Sequence, residues 1–222
     1  ATVFSDSEVA VLLGGMETAQ VLTQLPLDHL LFTGATDVGR QVMQAASTHL
    51  TPLTLELGGK SPAIIGPEAE LIEATPRIFL GKLLNAGQTC VAPDYVLLPH
   101  QQKSAFIEHA KYAVQQLYPN IAHSQDYSAI INDKHYQRLH DLLADATQKG
   151  ADIIDLRPPA MQSEALPPRC LPPLLVINTN ADMLLMQQEI FGPILPSMCY
   201  ENLAEAIHYV NFHPRPLALY YF

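Results

Sequence analysis

The fold of this 222-residue chain is decided by the stretch Leu55-Glu56-Leu57-Gly58-Gly59-Lys60-Ser61-Pro62. A strand-like segment ends there in two glycines, and a second short apolar segment, 63–65, follows at once. Because paired glycines interrupt regular elements, the pattern predicts two strands separated by a turn. We place a domain boundary at this turn, with a first domain over residues 1–58 and a second over residues 59–222.

Strand-like and helix-like segments alternate on both sides of the boundary. In the first domain, apolar runs predict strands over 9–13, 29–33 and 54–57, and helical periodicity predicts a helix over 17–25. A second helix is predicted to end before Pro52, with its inner face formed by Val38, Val42, Ala45 and Ala46. In the second domain, the same signals predict strands over 63–65, 95–98, 152–155, 174–177 and 194–199, and helices over 71–84, 101–118 and 202–211. A further helix is predicted to begin near Asn132, an N-cap candidate, and Asn202 and Glu205 predict a capping box. The proline-rich segment 157–173 is predicted to be an irregular loop. This alternation is typical of an α/β protein with a mostly parallel sheet.

One cysteine lies in a polar, glycine-containing turn, Asn85-Ala86-Gly87-Gln88-Thr89-Cys90. The glycine permits a tight backbone that leaves the thiol and its amide N–H accessible. Glu56, between two leucines, is predicted to enter an apolar site, where desolvation raises a carboxyl pKa. A thiol nucleophile and a tuned carboxylate base suit covalent chemistry on a carbonyl. The alternatives are a buried structural thiol at Cys90, and a Glu56 that pairs with Lys60 or lies in solvent.

Two further blocks have both a functional and an ordinary interpretation. The segment 33–39 is a strand-to-helix turn whose N–H groups and helix dipole suit a phosphate, although many such turns bind nothing. The segment 188–193 places Glu189 before Phe191, Gly192 and Pro193. This segment is either a plain turn that leads into a strand, or a turn whose Glu189 carboxylate accepts hydrogen bonds from the hydroxyls of a ligand.

Composition excludes several function classes. The net charge of −10, with scattered basic residues, argues against binding to nucleic acid or to an anionic membrane. No apolar run approaches the roughly 20 residues of a membrane span, and no signal peptide is evident. The three widely spaced cysteines predict free thiols and a cytoplasmic setting, with Cys170 and Cys199 as small buried hydrophobes. The nine histidines lack ligand spacing, so we expect no metal.

Taken in order, the blocks 32–39, 55–62, 87–90 and 189–193 resemble the NAD(P)-dependent aldehyde dehydrogenase superfamily over essentially the whole chain. The segments 90–95 and 216–220 resemble its class 3 branch, and the segment 32–62 resembles the bacterial coniferyl-aldehyde type. The resemblance implies the end of a Rossmann-type NAD(P)-binding domain over 1–58. It also implies an α/β catalytic domain over 59–222. Because family members are about twice as long, this domain is expected to be incomplete at its C-terminus.

The resemblance also implies the catalytic roles. Cys90 would attack the aldehyde to form a thiohemiacetal, and loss of a hydride to NAD or NADP would leave a thioester. Glu56 would activate Cys90 or, preferably, the water that hydrolyses the thioester. The backbone N–H of Cys90 would supply one half of the oxyanion hole.

The same resemblance assigns the cofactor contacts. Leu57 and Gly58 would lie against the nicotinamide, and Glu189 would hold its ribose with Phe191 packed nearby. The residues at the pyrophosphate would be Gly34 and Gly39, which open the cofactor helix, and Ala35. Many relatives have a serine in place of Ala35, so one hydrogen bond to the phosphate is lost.

The resemblance implies a cytoplasmic homodimer that oxidises an aldehyde with NAD or NADP, while this segment alone is expected to be nearly inactive. Two other hypotheses remain open. One is a cofactor-free cysteine acyl-transfer or esterase site built on Cys90 and Glu56. The other is a non-catalytic domain that keeps the fold without the reaction.

Overall fold

The computed structural model describes residues 3–5 and 7–222. The chain divides into two compact units, the first ending at Leu57 and the second running from Gly58 to Phe222. At the second residue of the second unit, Gly59, the backbone has φ +133°, a conformation that side chains with a β-carbon rarely adopt. The boundary between the two units therefore coincides with a glycine pair whose second member uses the conformational freedom of glycine.

The first unit is a helix followed by a parallel strand–helix–strand motif. Its elements are α1 (Met16–Thr23), β1 (Leu30–Gly34), α2 (Thr36–Ala46) and β2 (Leu53–Leu57). Leu30 lies opposite Leu53, and Gly34 lies opposite Leu57. Parallel strands need a crossover connection, which α2 supplies. The predicted strands over 29–33 and 54–57 and the predicted helix over 17–25 are confirmed to within two residues at each end. The second predicted helix is confirmed as α2, which ends at Ala46, before Pro52.

The predicted strand over residues 9–13 is wrong. This segment is irregular and exposed: the exposed fraction is 79% for Val11 and 90% for Leu13. A strand needs a hydrogen-bonded neighbour, and the sheet described in this unit contains β1 and β2 alone. Val38, predicted on the inner face of α2, is also 44% exposed, because Gly39, Val42 and Ala46 form the buried stripe.

The second unit is built on a six-stranded sheet with the order β5-β6-β7-β4-β3-β8. All neighbouring strands are parallel except β5 and β6. The strands are β3 (Pro62–Ile64), β4 (Tyr95–Pro99), β5 (Asp152–Asp155), β6 (Leu174–Ile177), β7 (Ile194–Tyr200) and β8 (Tyr220–Tyr221). The helices are α3 (Leu71–Leu83), α4 (Lys103–Leu117), α5 (Asp133–Gln148), α6 (Leu184–Gln187) and α7 (Leu203–Phe212). The predicted α/β class with a mostly parallel sheet is confirmed.

The central strand β4 is buried on both faces, as parallel strands between helices usually are. Tyr95 and Leu97 face a core formed largely with α5, whereas Val96 and Leu98 face a core formed with α3 and α4. None of the described helices is long and apolar enough to cross a membrane.

Two helix starts predicted from the sequence are confirmed by their caps. The side chain of Asn132 accepts a hydrogen bond from the N–H of His135 at 2.9 Å, and Asn202 accepts one from Glu205 at 3.2 Å. The return bond of the predicted capping box differs in detail, because Glu205 accepts from the N–H of Glu201. Each cap satisfies an N–H group that the helix itself leaves free.

Apart from one 3-10 turn over Pro159–Met161, the proline-rich segment 157–173 is irregular, as predicted, and one buried arginine organises its first part. Arg157 forms an ion pair with Asp155 at 2.7 Å. Its guanidinium also donates to the carbonyl oxygens of Met161, Gln162 and Glu164 at 3.0–3.2 Å. This ion pair gives the loop a fixed shape without regular structure.

Candidate active site

Cys90 ends a turn of unusual backbone conformation that follows α3. Asn85, Ala86 and Gly87 all have positive φ, at 51°, 53° and 77°. At Gly87 a β-carbon would lie 2.3 Å from the carbonyl oxygen of Gly192, so only glycine fits. The glycine predicted to permit a tight turn is therefore also a contact point with the segment that carries Glu189.

Side-chain hydrogen bonds fix this turn at both ends. Gln88 donates from Nε2 to the carbonyl oxygen of Ala129 at 3.1 Å and accepts from the N–H of Ile131 at 2.9 Å. On the other side, the hydroxyl of Tyr220 donates to the carbonyl oxygen of Val91 at 2.6 Å. Cys90 itself is exposed, so the thiol is displayed on a braced turn.

The other two cysteines have different surroundings. Cys170 is buried and Cys199 is half-buried, and burial raises the pKa of both thiols. Because the thiolate is the nucleophile, a raised pKa makes both groups less reactive at neutral pH. Cys90 is therefore the exposed thiol among the three.

Glu56 lies on β2 opposite Thr33, and its side chain is exposed. The predicted apolar site for this carboxylate is therefore wrong for this chain. Since side chains alternate along a strand, Leu55 and Leu57 point to the face opposite Glu56 and do not surround it. Lys60, the alternative partner, forms an ion pair with Asp94 inside the second unit.

The turn between β1 and α2 leaves the start of the helix uncapped. Gly34 is the last residue of β1, and Ala35 is the N-cap of α2 but offers no side-chain acceptor. The first N–H groups of the helix, at Thr36 to Val38, have no intrahelical partner. Gly39 lies one turn inside α2, where a β-carbon would come within 2.8 Å of Leu57. Gly39 was expected to open the helix. It lies inside α2 instead, where it allows the helix to pack closely against β2.

The structure brings Glu189 and Gly58 together. A β-carbon on Gly58 would lie 2.1 Å from Oε1 of Glu189, so the carboxylate rests on bare backbone. Burial raises the pKa of Glu189, and a hydrogen bond from the backbone of Gly59 opposes that shift. Phe191 follows with φ +52° and is partly exposed. These four positions form one local group within the second unit.

Three charged side chains that sequence reasoning missed hold the backbone beside Glu189. Lys60 donates to the carbonyl oxygen of Gln188 at 3.1 Å, and Arg138 donates to that of Glu189 at 3.1 Å and to that of Ile190. Asp94 accepts from the N–H of Ile190 at 2.9 Å and pairs with Lys60. Their separations in sequence leave no local pattern that could have found them.

Lys82 is a fourth residue that the sequence analysis overlooked. It is 1% exposed, on the last turn of α3, and its ammonium group has no hydrogen-bond partner. Burial lowers the pKa of Lys82 to about 8, although the nearby carboxylate of Asp94 opposes the shift. A signal was present, because Lys82 continues the apolar stripe of Ile78 and Phe79 at helical spacing.

Within residues 3–5 and 7–222, no group of three or more histidine, cysteine, aspartate or glutamate side chains is arranged to hold a metal ion. The candidate functional features among the described residues are a displayed thiol, an uncapped helix start and a carboxylate resting on a glycine.

The fold and these features describe an α/β protein that displays one cysteine on a braced turn. The chain belongs to the aldehyde dehydrogenase family, whose sequence model matches residues 4–220. This finding confirms the superfamily resemblance drawn from the four sequence blocks.

Named relatives and a solved structure agree with this assignment. The chain is 50% identical over 222 residues to the "probable coniferyl aldehyde dehydrogenase" of Pseudomonas aeruginosa, covering all of this chain and 45% of the relative. It is 39% identical over 213 residues to the mouse "aldehyde dehydrogenase, dimeric NADP-preferring", covering 96% of this chain and 45% of the mouse protein. The substrate-bound structure of Staphylococcus aureus AldH superposes with a TM-score of 0.84 at 42% identity, covering 94% of this chain and 44% of that one. The chain thus spans less than half the length of these relatives.

Proposed function

We propose that this chain carries the nucleophile of an NAD(P)-dependent aldehyde dehydrogenase and that Cys90 is that nucleophile. The observation that carries the proposal is the exposed thiol of Cys90 on a turn braced by Gln88 and Tyr220. A fixed nucleophile on a rigid turn lowers the entropy cost of reaching the attack geometry. Residues 1–58 are proposed as the end of the NAD(P)-binding domain and residues 59–222 as the catalytic domain.

In the proposed reaction, the Cys90 thiolate attacks the aldehyde carbon, and a carbon–sulfur bond forms as the carbonyl oxygen becomes an oxyanion. The backbone N–H of Cys90 donates to that oxygen. A bound nicotinamide supplies the acceptor for the hydride that the adduct loses. Glu56 then takes a proton from water as the water attacks the resulting thioester, and the Cys90 thiolate departs as the carboxylic acid forms.

Residues of each unit fit part of a dinucleotide. The uncapped start of α2, after Gly34 and Ala35, offers free N–H groups and the positive end of the helix dipole to a phosphate. Gly39 keeps this helix close to Leu57. In the second unit, Glu189 is proposed to accept hydrogen bonds from ribose hydroxyls, with the bare backbone of Gly58 and the ring of Phe191 beside it. Either NAD or NADP meets this description.

The names of the relatives support a finer proposal. The Pseudomonas aeruginosa relative is named for coniferyl aldehyde, so we assign an aromatic aldehyde of that type as the substrate. The mouse relative is named dimeric and NADP-preferring, so we assign a homodimer. A cytoplasmic location is proposed from the three free cysteines.

The activity is proposed for a protein of family length, because this chain covers 45% of the Pseudomonas aeruginosa relative. We expect the 222 residues alone to turn over far more slowly. Loss of a single oxyanion donor costs on the order of 10²–10³ in rate, and the family pattern places a second donor outside this chain.

The test is reduction of NAD and of NADP with a panel of aromatic and aliphatic aldehydes. It uses the longest form of the protein that carries this chain, beside Cys90→Ala and the control Cys199→Ala. Reduction that vanishes in Cys90→Ala but persists in the control supports the proposal. Cofactor-independent ester hydrolysis that depends on Cys90, without reduction of either cofactor, would replace it with an acyl-transfer function. A folded protein with neither activity would indicate a non-catalytic domain.

A further inference from the structure

The backbone from residue 188 to residue 190 belongs to no strand or helix, yet four of its polar groups are bonded to charged side chains. The carbonyl oxygen of Gln188 accepts from Lys60, and those of Glu189 and Ile190 accept from Arg138. The N–H of Ile190 donates to Asp94 at 2.9 Å. An irregular segment held in this way has little freedom to move, because charge-assisted hydrogen bonds are among the stronger ones.

Asp94 is the centre of this arrangement. It is 3% exposed, and its two carboxylate oxygens have different partners. Oδ1 accepts from Ile190, on the segment that carries Glu189, and Oδ2 accepts from Lys60. Its own N–H donates to the carbonyl oxygen of Ser61 at 2.7 Å.

Lys60 links the glycine backbone beneath the Glu189 carboxylate to the segment that carries Glu189. It directly follows Gly58 and Gly59, the backbone on which that carboxylate rests. Its ammonium group donates to Leu185 at 2.7 Å and to Gln188 at 3.1 Å, besides pairing with Asp94. The ion pair of Lys60 and Asp94 therefore ties the glycine backbone and the Glu189 segment to each other.

We infer that Asp94 is a positioning residue for Glu189, and that its bonds to Ile190 and Lys60 fix the carboxylate over Gly58 in the orientation that receives the cofactor ribose. Asp94 is buried, so it acts through Glu189 and does not touch a ligand. The inference rests on the proposed function only for the identity of that ligand. The fixed orientation is a property of the chain itself.

The decisive variant is Asp94→Asn, which keeps the size of the side chain and an acceptor for Ile190 but removes the ion pair with Lys60. A matched control exists in the same unit. Asp155 also accepts from a backbone N–H, that of Arg157, at 2.9 Å. It too pairs with a buried cation that holds carbonyl oxygens of an irregular loop. Asp155→Asn therefore removes a similar ion pair at a position away from Glu189.

Two readouts are measured on both variants. The first is the dissociation constant for NAD and for NADP, by fluorescence titration of the longest form of the protein that carries this chain. We expect about tenfold weaker binding in Asp94→Asn, which corresponds to about 1.4 kcal/mol, because Glu189 loses its fixed orientation, and little change in Asp155→Asn. The second readout needs no cofactor. It is amide hydrogen exchange, which is expected to accelerate over 188–191 in Asp94→Asn and over 157–164 in Asp155→Asn.

The outcomes separate the inference from the proposed function. Equal cofactor affinity in Asp94→Asn and the wild type, or unchanged exchange over 188–191, overturns the positioning role. Equal weakening in both aspartate variants also overturns it, because general destabilisation then explains the effect. If the wild type binds neither cofactor, the proposed function fails, and the exchange measurement alone decides whether Asp94 orders the Glu189 segment.

Discussion

The carboxylate of Glu189 rests on Gly58 so closely that a β-carbon at that glycine would lie 2.1 Å from Oε1. The group that would be displaced is the far end of a flexible side chain, and Gly58 itself has no positive φ. An added methyl group can therefore be accommodated by moving the carboxylate, without disturbing the backbone. Cofactor binding and the free energy of unfolding should therefore respond differently to a substitution at Gly58.

Gly58→Ala is expected to leave the free energy of unfolding nearly unchanged while it weakens cofactor binding at least tenfold, because Glu189 must turn away. Cofactor titration and urea denaturation measure the two effects. Gly15→Ala is the control, since no atom lies within 4 Å of a β-carbon there. Unchanged cofactor affinity in Gly58→Ala would show that the position of Glu189 does not matter for binding.

Gly87→Ala is expected to destabilise the fold. The substitution forces alanine into φ +77°, and its β-carbon meets the carbonyl oxygen of Gly192 at 2.3 Å. Strain in this backbone region costs about 1–3 kcal/mol, and the contact adds to it. Gly150→Ala isolates the strain, because Gly150 has φ +91° with nothing within 4 Å. Urea denaturation should show a larger loss for Gly87→Ala, and equal losses would mean that the contact with Gly192 carries no energy.

Lys82→Met is expected to stabilise the protein at neutral pH. The pKa of Lys82 is lowered from 10.5 to about 8 by burial, so the unfolded state binds more protons between those values. Wild-type stability should therefore rise with pH from about 8 to 10.5. The cost of keeping this lysine charged in the fold is about 3 kcal/mol below pH 8, and methionine removes it.

The corresponding measurement is the unfolding free energy at pH 7 and pH 10 for Lys82→Met and for Lys134→Met, an exposed lysine on α5. The gain in Lys82→Met should be large at pH 7 and much smaller at pH 10, with little change in the control. A gain that does not depend on pH would indicate improved packing and not relief of a buried charge.

Tyr220→Phe tests the brace on the cysteine turn. It removes the hydrogen bond to the carbonyl oxygen of Val91, which should cost about 1 kcal/mol of unfolding free energy. Tyr221→Phe, on the neighbouring exposed residue, is the control. The rate at which Cys90 reacts with iodoacetamide should change only in Tyr220→Phe, and identical rates in all three proteins would exclude a role for Tyr220 in holding the turn.

Local patterns predicted much of this molecule. The glycine pair at 58–59 predicted the break between β2 and β3, and the helix caps at Asn132 and Asn202 followed from residue type and position. The four ordered blocks were sufficient for the family. These signals lie within a few residues of each other, where backbone geometry and sequence are directly linked.

The failures have physical reasons. Apolar content alone suggested a strand at 9–13, but pairing with a neighbouring strand decides whether such a segment extends. Strand alternation, applied to Glu56, would have placed it away from its flanking leucines. The bonds from Asp94 and Arg138 to the Glu189 segment join residues 96, 51 and 52 positions apart, so they depend on the complete fold.

The contact between Gly87 and Gly192 has a consequence for protein engineering. Two loops meet there through bare backbone, and Gly192 is in turn confined by Leu139, which would lie 2.6 Å from an added β-carbon. Neither loop can be exchanged for a bulkier homologue without displacing the other. A graft that replaces the cysteine turn with that of a homologue should therefore also replace residues 189–193 with those of the same homologue.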